Sequence, residues 1–276
     1  RKAIAAGIKI GDEVKYNAVL TAKSYTTDGS ERTSTGAADS TKTKTVKTNT
    51  GYTWKYIGLG EDGSLLIAPD MTGTVGEYDD LELRAEGGYI NGPKVLNTIC
   101  DTLYTVEGKG KAQSMNIDIV NKILEYNGPK GRYYDTSGNA VETAEPKTIG
   151  ETGLVSSLGS NTQTPDGKDI STYYADYYYI SKTEHASRIT KDTARQNLVY
   201  QANVYWLASP CVDAYFNYGA AVFSVRYVSS ANVDANGMFD STGGTISNTY
   251  AVRPYVSLTS NVQKTTENGK TVWTLS

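Results

Sequence analysis

The sequence has one histidine, two cysteines and no apolar run approaching the ~20 residues that a membrane-crossing helix requires. Each shortage removes a class of function. The histidine, His185, lies in the polar string Thr183-Glu184-His185-Ala186-Ser187, so it is expected on the surface and offers no partner to a Ser or Cys nucleophile. HExxH, GxSxG and Walker strings are absent, and Gly108-Lys109-Gly110-Lys111 reads as a turn because no Ser or Thr follows it. Two cysteines exclude a disulfide-stapled scaffold, and Cys100 and Cys211 are too far apart in sequence for a CxxC motif. Cys100 falls in the apolar pattern Val95, Leu96, Ile99, Leu103 and is expected as a buried helix thiol. Cys211 follows Pro210 in an expected loop and is the more exposed of the two. Charge is also scarce in any concentrated form: the net value is −3 and no basic block occurs, which argues against nucleic acid as a partner. The chain is expected to be a non-enzyme.

The most informative absence is local. From 202 to 262 there is no Lys, Glu or Gln, although the chain has 19, 13 and 5 of them. An even distribution would place about eight in such a window. All three Phe residues fall inside it instead, among Tyr, Ser, Asn, Asp, Gly, Ala and Val. Burial is one explanation, since a core-rich β segment carries few charges. A contact surface is the other, because Tyr and Phe give large area for two torsions while Ser, Asn and Gly give adaptable hydrogen bonding.

Periodicity sets the expected elements. Arg1 to Ala6 reads as the end of a short helix or a spacer, and the chain's opening on Arg1 suggests that a preceding piece has been removed. Tyr52 to Ile67 reads as a hairpin around Gly60-Glu61-Asp62-Gly63, and a second hairpin is expected around Asn268-Gly269. Two helices are expected between them, one starting at Pro93 and one capped by Ser114 and stopped by Asn127-Gly128-Pro129. Asp192 to Val199 is a further short helix candidate. Residues 21–50 are Thr-rich and read as a long loop or exposed ribbon, and the stretch from Gly128 to about Lys168 reads as an irregular insertion. Tyr173 to Tyr179 reads as a strand with two tyrosine faces or as an adhesive aromatic patch. Further strands are expected at Val204 to Leu207, Ala221 to Val228 and Ala251 to Leu258.

Three strings carry a family resemblance: Tyr205-Trp206-Leu207-Ala208-Ser209-Pro210, Val225-Arg226-Tyr227-Val228 and Val252-Arg253-Pro254-Tyr255-Val256-Ser257-Leu258. Together they resemble a family of bacterial and phage surface proteins with the C-type lectin-like fold of the formylglycine-generating-enzyme subtype. Gly11-Asp12-Glu13-Val14-Lys15-Tyr16, Gly88 to Gly92, Leu96 to Cys100 and Ser114 to Ile117 resemble its other motifs, with Gln113 where the family usually has Arg. The resemblance implies an α+β chain: a C-type lectin-like fold with two helices, a small mixed β-sheet and long loops, plus an inserted irregular segment. It implies residues 1-10 as spacer and 11-276 as a single domain. That domain would carry the Thr-rich ribbon or loop (21-50), the insertion (128-200) and a variable ligand-display region (205-258).

That display region resembles the variable region of diversity-generating retroelement proteins, of which phage tropism determinants are members. There, Asn codons are randomised at their adenines, and the resulting codons never specify Lys, Glu, Gln, Met or Trp. Only Trp206 and Met238 from that set occur within 202–262. The resemblance implies a non-enzymatic, surface-displayed receptor-binding or adhesin-like protein on a cell or virion, with a protein or glycan ligand and no nucleic-acid partner. Its display residues would be Cys211, Asp213, Tyr215, Phe216, Asn217, Tyr218, Ser224, Tyr227, Ser229, Ser230, Asn232, Asp234, Asn236 and Phe239. Phe216 and Phe239 are expected to face solvent, and Phe223 to point inward with Val225. Trp206 is expected as a core anchor, and Arg226 and Arg253 as framework residues that tie loops to carbonyls or a carboxylate. No cofactor is implied, although Asp234-Ala235-Asn236-Gly237 and Asp240 could form a calcium loop without EF-hand spacing. Two other readings stand beside this one: a structural subunit of a virion or pilus-like homo-oligomer packed through tyrosine faces, and a formylglycine-generating-type oxidoreductase relative. The oxidoreductases use a close Cys pair that this sequence lacks.

Overall fold

A computed structural model describes residues 7–16, 23–26, 43–46, 52–71, 80–128, 133–134, 140–141, 181–215, 220–240 and 247–276. Arg1 to Ala6, most of the Thr-rich and inserted segments, the Tyr173 to Tyr179 cluster and Phe216, Asn217 and Tyr218 lie outside the described residues. In chain order the elements are β1 (Glu13–Lys15), β2 (Lys23–Thr26), β3 (Thr43–Val46), β4 (Trp54–Leu59), β5 (Leu65–Pro69), β6 (Asp80–Arg84), α1 (Ala85–Tyr104), β7 (Gly110–Ser114) and α2 (Ile117–Ile123). There follow β8 (Tyr133–Tyr134), β9 (Ala140–Val141), α3 (Lys182–Ser187), α4 (Thr193–Val199), β10 (Tyr205–Tyr215), β11 (Ala220–Val228), β12 (Val233–Asp240), β13 (Ser247–Ala251), β14 (Pro254–Leu258), β15 (Val262–Glu267) and β16 (Lys270–Leu275).

Twelve of these strands form two mixed sheets, a seven-stranded one in the order β15-β16-β1-β4-β5-β14-β7 and a five-stranded one in the order β12-β11-β10-β13-β6. This overturns the expected α+β arrangement of two helices and one small sheet. The described residues are mostly β, with four helices of which three have seven residues or fewer. Sequence reading undercounts the strands because several are built from turn-forming residues. Val233 to Asp240, with its Asp, Asn and Gly, reads as a loop, yet it pairs with β11 along its length.

The parts of the expected pattern that rest on local chemistry do appear. The Asn268-Gly269 hairpin joins β15 and β16, with both residues at positive φ (50° and 76°), the geometry of a two-residue type I′ turn. The hairpin of β4 and β5 closes over residues 60–64. The eight described residues of the Thr-rich segment form an antiparallel ribbon, β2 with β3.

The helices differ more. Helix α1 begins eight residues before Pro93, which lies inside it. Gly88 and Gly92 let it lie against β6: a Cβ on either would come within 3.0 Å of Leu83. Tertiary contact thus carries a helix through residues that read as breakers. Helix α2 is capped by Asn116 rather than Ser114, its side-chain oxygen accepting from the Ile119 N–H at 2.9 Å. Helix α4 is present, capped by Asp192. With α3 it shows that the expected insertion is ordered and packed over 181–200.

Two apolar cores result, and each sheet contributes to both. One gathers Tyr89, Leu96 and Ile99 of α1 with Trp54, Ile67 and Val256 of the larger sheet and Trp206, Phe223 and Val225 of the smaller. The other sets Val120 and Ile123 of α2 and Leu198 and Val199 of α4 against Leu66, Tyr205, Leu207 and Val228. Cys100 is buried in α1 as expected. No described helix is long and apolar enough to cross a membrane.

Candidate functional site

The five-stranded sheet sorts the candidate residues by strand alternation. Along β11, Phe223, Val225 and Tyr227 turn toward α1, while Val228 turns to the opposite core. Phe223 is fully buried, edge-on to Tyr89 of α1 with ring centroids 5.2 Å apart, which bears out its inward direction. Toward the Val228 end the cover thins, and Tyr227 remains half-buried.

A layered aromatic group occupies that thinner end. Trp206 of β10 is its floor, completely buried, with its indole N–H donating to the Leu81 carbonyl at 2.8 Å. Tyr250 of β13 lies on Trp206 at 4.5 Å between centroids, and Tyr227 lies 5.1 Å from Tyr250. The side-chain amide of Asn236 donates to the Tyr250 hydroxyl. Asp234 pairs across from Tyr227, and burial together with the neighbouring Asp234 carboxylate raises the Tyr227 phenol above its ordinary value. A tight turn of Ser229 to Asn232 closes the strand pair, with the Ser229 N–H donating to the Asn232 carbonyl at 2.9 Å; Ser230 and Ala231 are exposed on it. The result is a half-exposed aromatic pair on an immobile indole, rimmed by carboxylate, amide and hydroxyl groups. Tyr250 is absent from the residues expected from sequence. Its signal was its place in the same Lys-, Glu- and Gln-free window.

The expected display residues therefore separate. Tyr227, Ser229, Ser230, Asn232, Asp234 and Asn236 cluster at one end of the β10–β11–β12 unit. Asp213 and Tyr215 lie in the other half of β10, where Tyr215 pairs with Ala220. Val228 lies eight residues further along β11 from that pair, roughly 25 Å at strand rise. Only the backbone is described for Asp213, Tyr215 and Phe239, so the solvent-facing direction expected of Phe239 falls outside the described side chains, as does that of Phe216.

Two expected display residues are inside. Cys211 is 0 % exposed and Ser224 4 %. Strand β10 continues past Pro210 through a register shift between Trp206 and Pro210, so the loop that would have exposed Cys211 does not form. Cys100 and Cys211 are both buried and not joined in a disulfide.

His185 also departs from its expected surface position. It is 3 % exposed, its ring stacked on Tyr126 at 4.7 Å and 10°, with Nε2 2.8 Å from the Asn121 side-chain oxygen. Burial, assisted by the Arg226 guanidinium, pushes its pKa down to about 4. The polar string around it gave no hint, because the burial comes from Tyr126 in another segment.

The framework arginine Arg253 behaves as expected. It is 1 % exposed, and its guanidinium donates to the carbonyls of Pro69 (3.0 Å) and Leu198 (2.8 Å) and to the Tyr205 hydroxyl (2.9 Å), while lying over the Tyr205 ring. Arg226, also buried, sits on the His185 side of β11. The segment considered for calcium is strand β12, with the Asp234 carboxylate accepting from its neighbour's N–H at 2.9 Å. Among the described residues no three His, Cys, Asp or Glu side chains gather as a metal site. No family model matches the chain, and comparison with curated proteins and with solved structures finds no match in either.

Proposed function

We propose that this protein is a non-enzymatic binding protein displayed outside a cell or on a virion, and that it meets a protein or glycan ligand through the face of Tyr227, Tyr250, Asp234 and Asn236 and the adjoining turn at Ser229 to Asn232. The observation that carries this reading is the half-exposed Tyr227–Tyr250 pair, fixed on buried Trp206 and on half-buried Asn236, in a window without Lys, Glu or Gln. Rigid aromatics lose little freedom when a partner covers them, whereas each immobilised Lys, Glu or Gln loses about 1–2 kcal/mol of rotamer entropy. Binding faces are accordingly rich in Tyr and poor in Lys and Glu. The resemblance of the 205–258 strings to diversity-generating variable proteins supports the same reading and supplies a genetic cause for the absence.

The test uses labelled protein on a glycan array and on a panel of bacterial cells. Wild-type chain is expected to bind at least one target, and Tyr227→Ala with Tyr250→Ala is expected to weaken that binding at least tenfold. Binding that survives the double substitution overturns the assignment of the face. The diversification claim is tested in the flanking DNA. It requires a near-copy of the codons for 205–258 differing at adenines, beside a reverse-transcriptase gene.

A further inference from the structure

On the far side of β14 from α1, the seven-stranded sheet leaves a cleft of about 620 Å³ beside α2. That volume is ordinary for a small-ligand site. Its floor is laid by three adjacent strands: Ser64 and Leu66 at β5, Gln113 on β7, and Tyr255 and Ser257 on β14. The pattern has a local cause, since residues one apart on a strand point to opposite faces. Ile67, Val256 and Ala112 fill the core under α1, and their neighbours Leu66, Tyr255, Ser257 and Gln113 line the cleft.

We infer that this cleft is a binding site for an uncharged polyhydroxylated ligand, a mono- or disaccharide. Ser64 and Ser257 share one hydrogen bond of 2.6 Å although they are far apart in sequence, and the Tyr255 hydroxyl donates to the Gln113 side-chain oxygen. The Ser64 and Ser257 hydroxyls keep acceptor capacity and the Gln113 amide keeps two donors, while the Tyr255 hydroxyl is also hydrogen-bonded to the Asn116 side chain. Groups that both donate and accept match sugar hydroxyls, which do the same. Half-buried Ile119 adds apolar surface suited to the C–H face of a sugar ring. Ser64 and Tyr255 are 6 % and 8 % exposed, so the floor is held by the fold rather than by mobile surface chains.

The charges around the cleft decide against an anion. Lys111 and Lys122 stand with Glu61, Asp62 and Asp118, all exposed, and Lys122 already donates to the Leu59 carbonyl. Opposing charges in high dielectric leave no dominant field for a phosphate or carboxylate. The cleft is separate from the Tyr227 face and does not depend on it.

The experiment is a ¹H–¹⁵N titration of the whole chain with methyl glycosides of glucose, galactose and N-acetylglucosamine, with lactose and diacetylchitobiose, and with inorganic phosphate as the charged control. Expected are saturable shifts of the Ser64, Gln113 and Ser257 amides by at least one saccharide, weakened about tenfold or more in Gln113→Ala and Tyr255→Phe. Gln113 is exposed, so its variant tests the site even if Tyr255→Phe disturbs the fold. Absence of saccharide shifts up to roughly 50 mM overturns the inference. So do shifts confined to Tyr227, Asp234 and Asn236, a stronger response to phosphate than to any saccharide, or affinity unchanged in Gln113→Ala.

Discussion

Strands β12 and β14 both lie in the window that has no Lys, Glu or Gln, yet they occupy opposite situations. Strand β14 is paired on both sides, by β5 and β7, and four of its five residues are buried. A Lys there would place a charge in a core. Among the described strands β12 is a sheet edge, and Asp234, Ala235, Asn236 and Gly237 are only half-buried. Edge strands commonly carry long charged residues to discourage pairing with another chain. The other three edges follow that habit: β15 has Gln263, Lys264 and Glu267, β7 has Lys111 and Gln113, and β6 has Glu82 and Arg84. Burial accounts for β14 and leaves β12 unexplained, and the contact function proposed above would fill that gap.

The sharpest way to break this comparison is at the base of β14. Arg253→Ala removes the donors to Pro69, Leu198 and Tyr205 and is expected to destabilise by about 3–5 kcal/mol in urea unfolding. A loss below about 1 kcal/mol would count against the framework role of Arg253.

The next effect lies behind β12, where α3 packs and His185 is held. Its folded pKa, about 4, is below the ordinary 6.5, so the fold favours the neutral ring. The stabilisation from that difference is complete above pH 6.5 and is lost as pH falls from 6.5 through 4. Its size is on the order of 3 kcal/mol. Stability measured at pH 7 and pH 4 should differ less in His185→Phe than in wild type, and equal pH dependence in both would place the acid sensitivity elsewhere.

The smallest effect tests the absence directly. Ser230→Lys and Asn232→Lys, on the turn beside β12, are expected to change stability by no more than about 0.5 kcal/mol while weakening ligand binding. If either unfolds the protein, burial explains the turn as well.

Much of this was legible where local chemistry decides. Asn268-Gly269 specifies its own turn, Asp192 its own cap, and the alternation of Phe223 and Val225 their inward direction. What was illegible came from distant contacts. Gly88, Gly92 and Pro93 read as interruptions because nothing nearby shows that Leu83 needs a close helix. His185 and Cys211 read as exposed because Tyr126 and the continuation of β10 are invisible from their neighbours. At the candidate face the sequence named six of the residues that cluster and missed Tyr250, whose role depends on the parallel pairing of β10 with β13.

The larger sheet joins its first strand to its last: β1 lies between β4 and β16, with Val14 beside Trp273 in parallel and the Trp273 indole donating to Asp12. Almost the whole described chain forms the loop that this pairing must close, and loops of that length pair slowly. During synthesis the inner edge of β1 therefore waits, unpaired, until Trp273 has been made. Folding should show a late phase reported by Trp273 fluorescence, after the β4–β5 and β10–β11 hairpins have already formed.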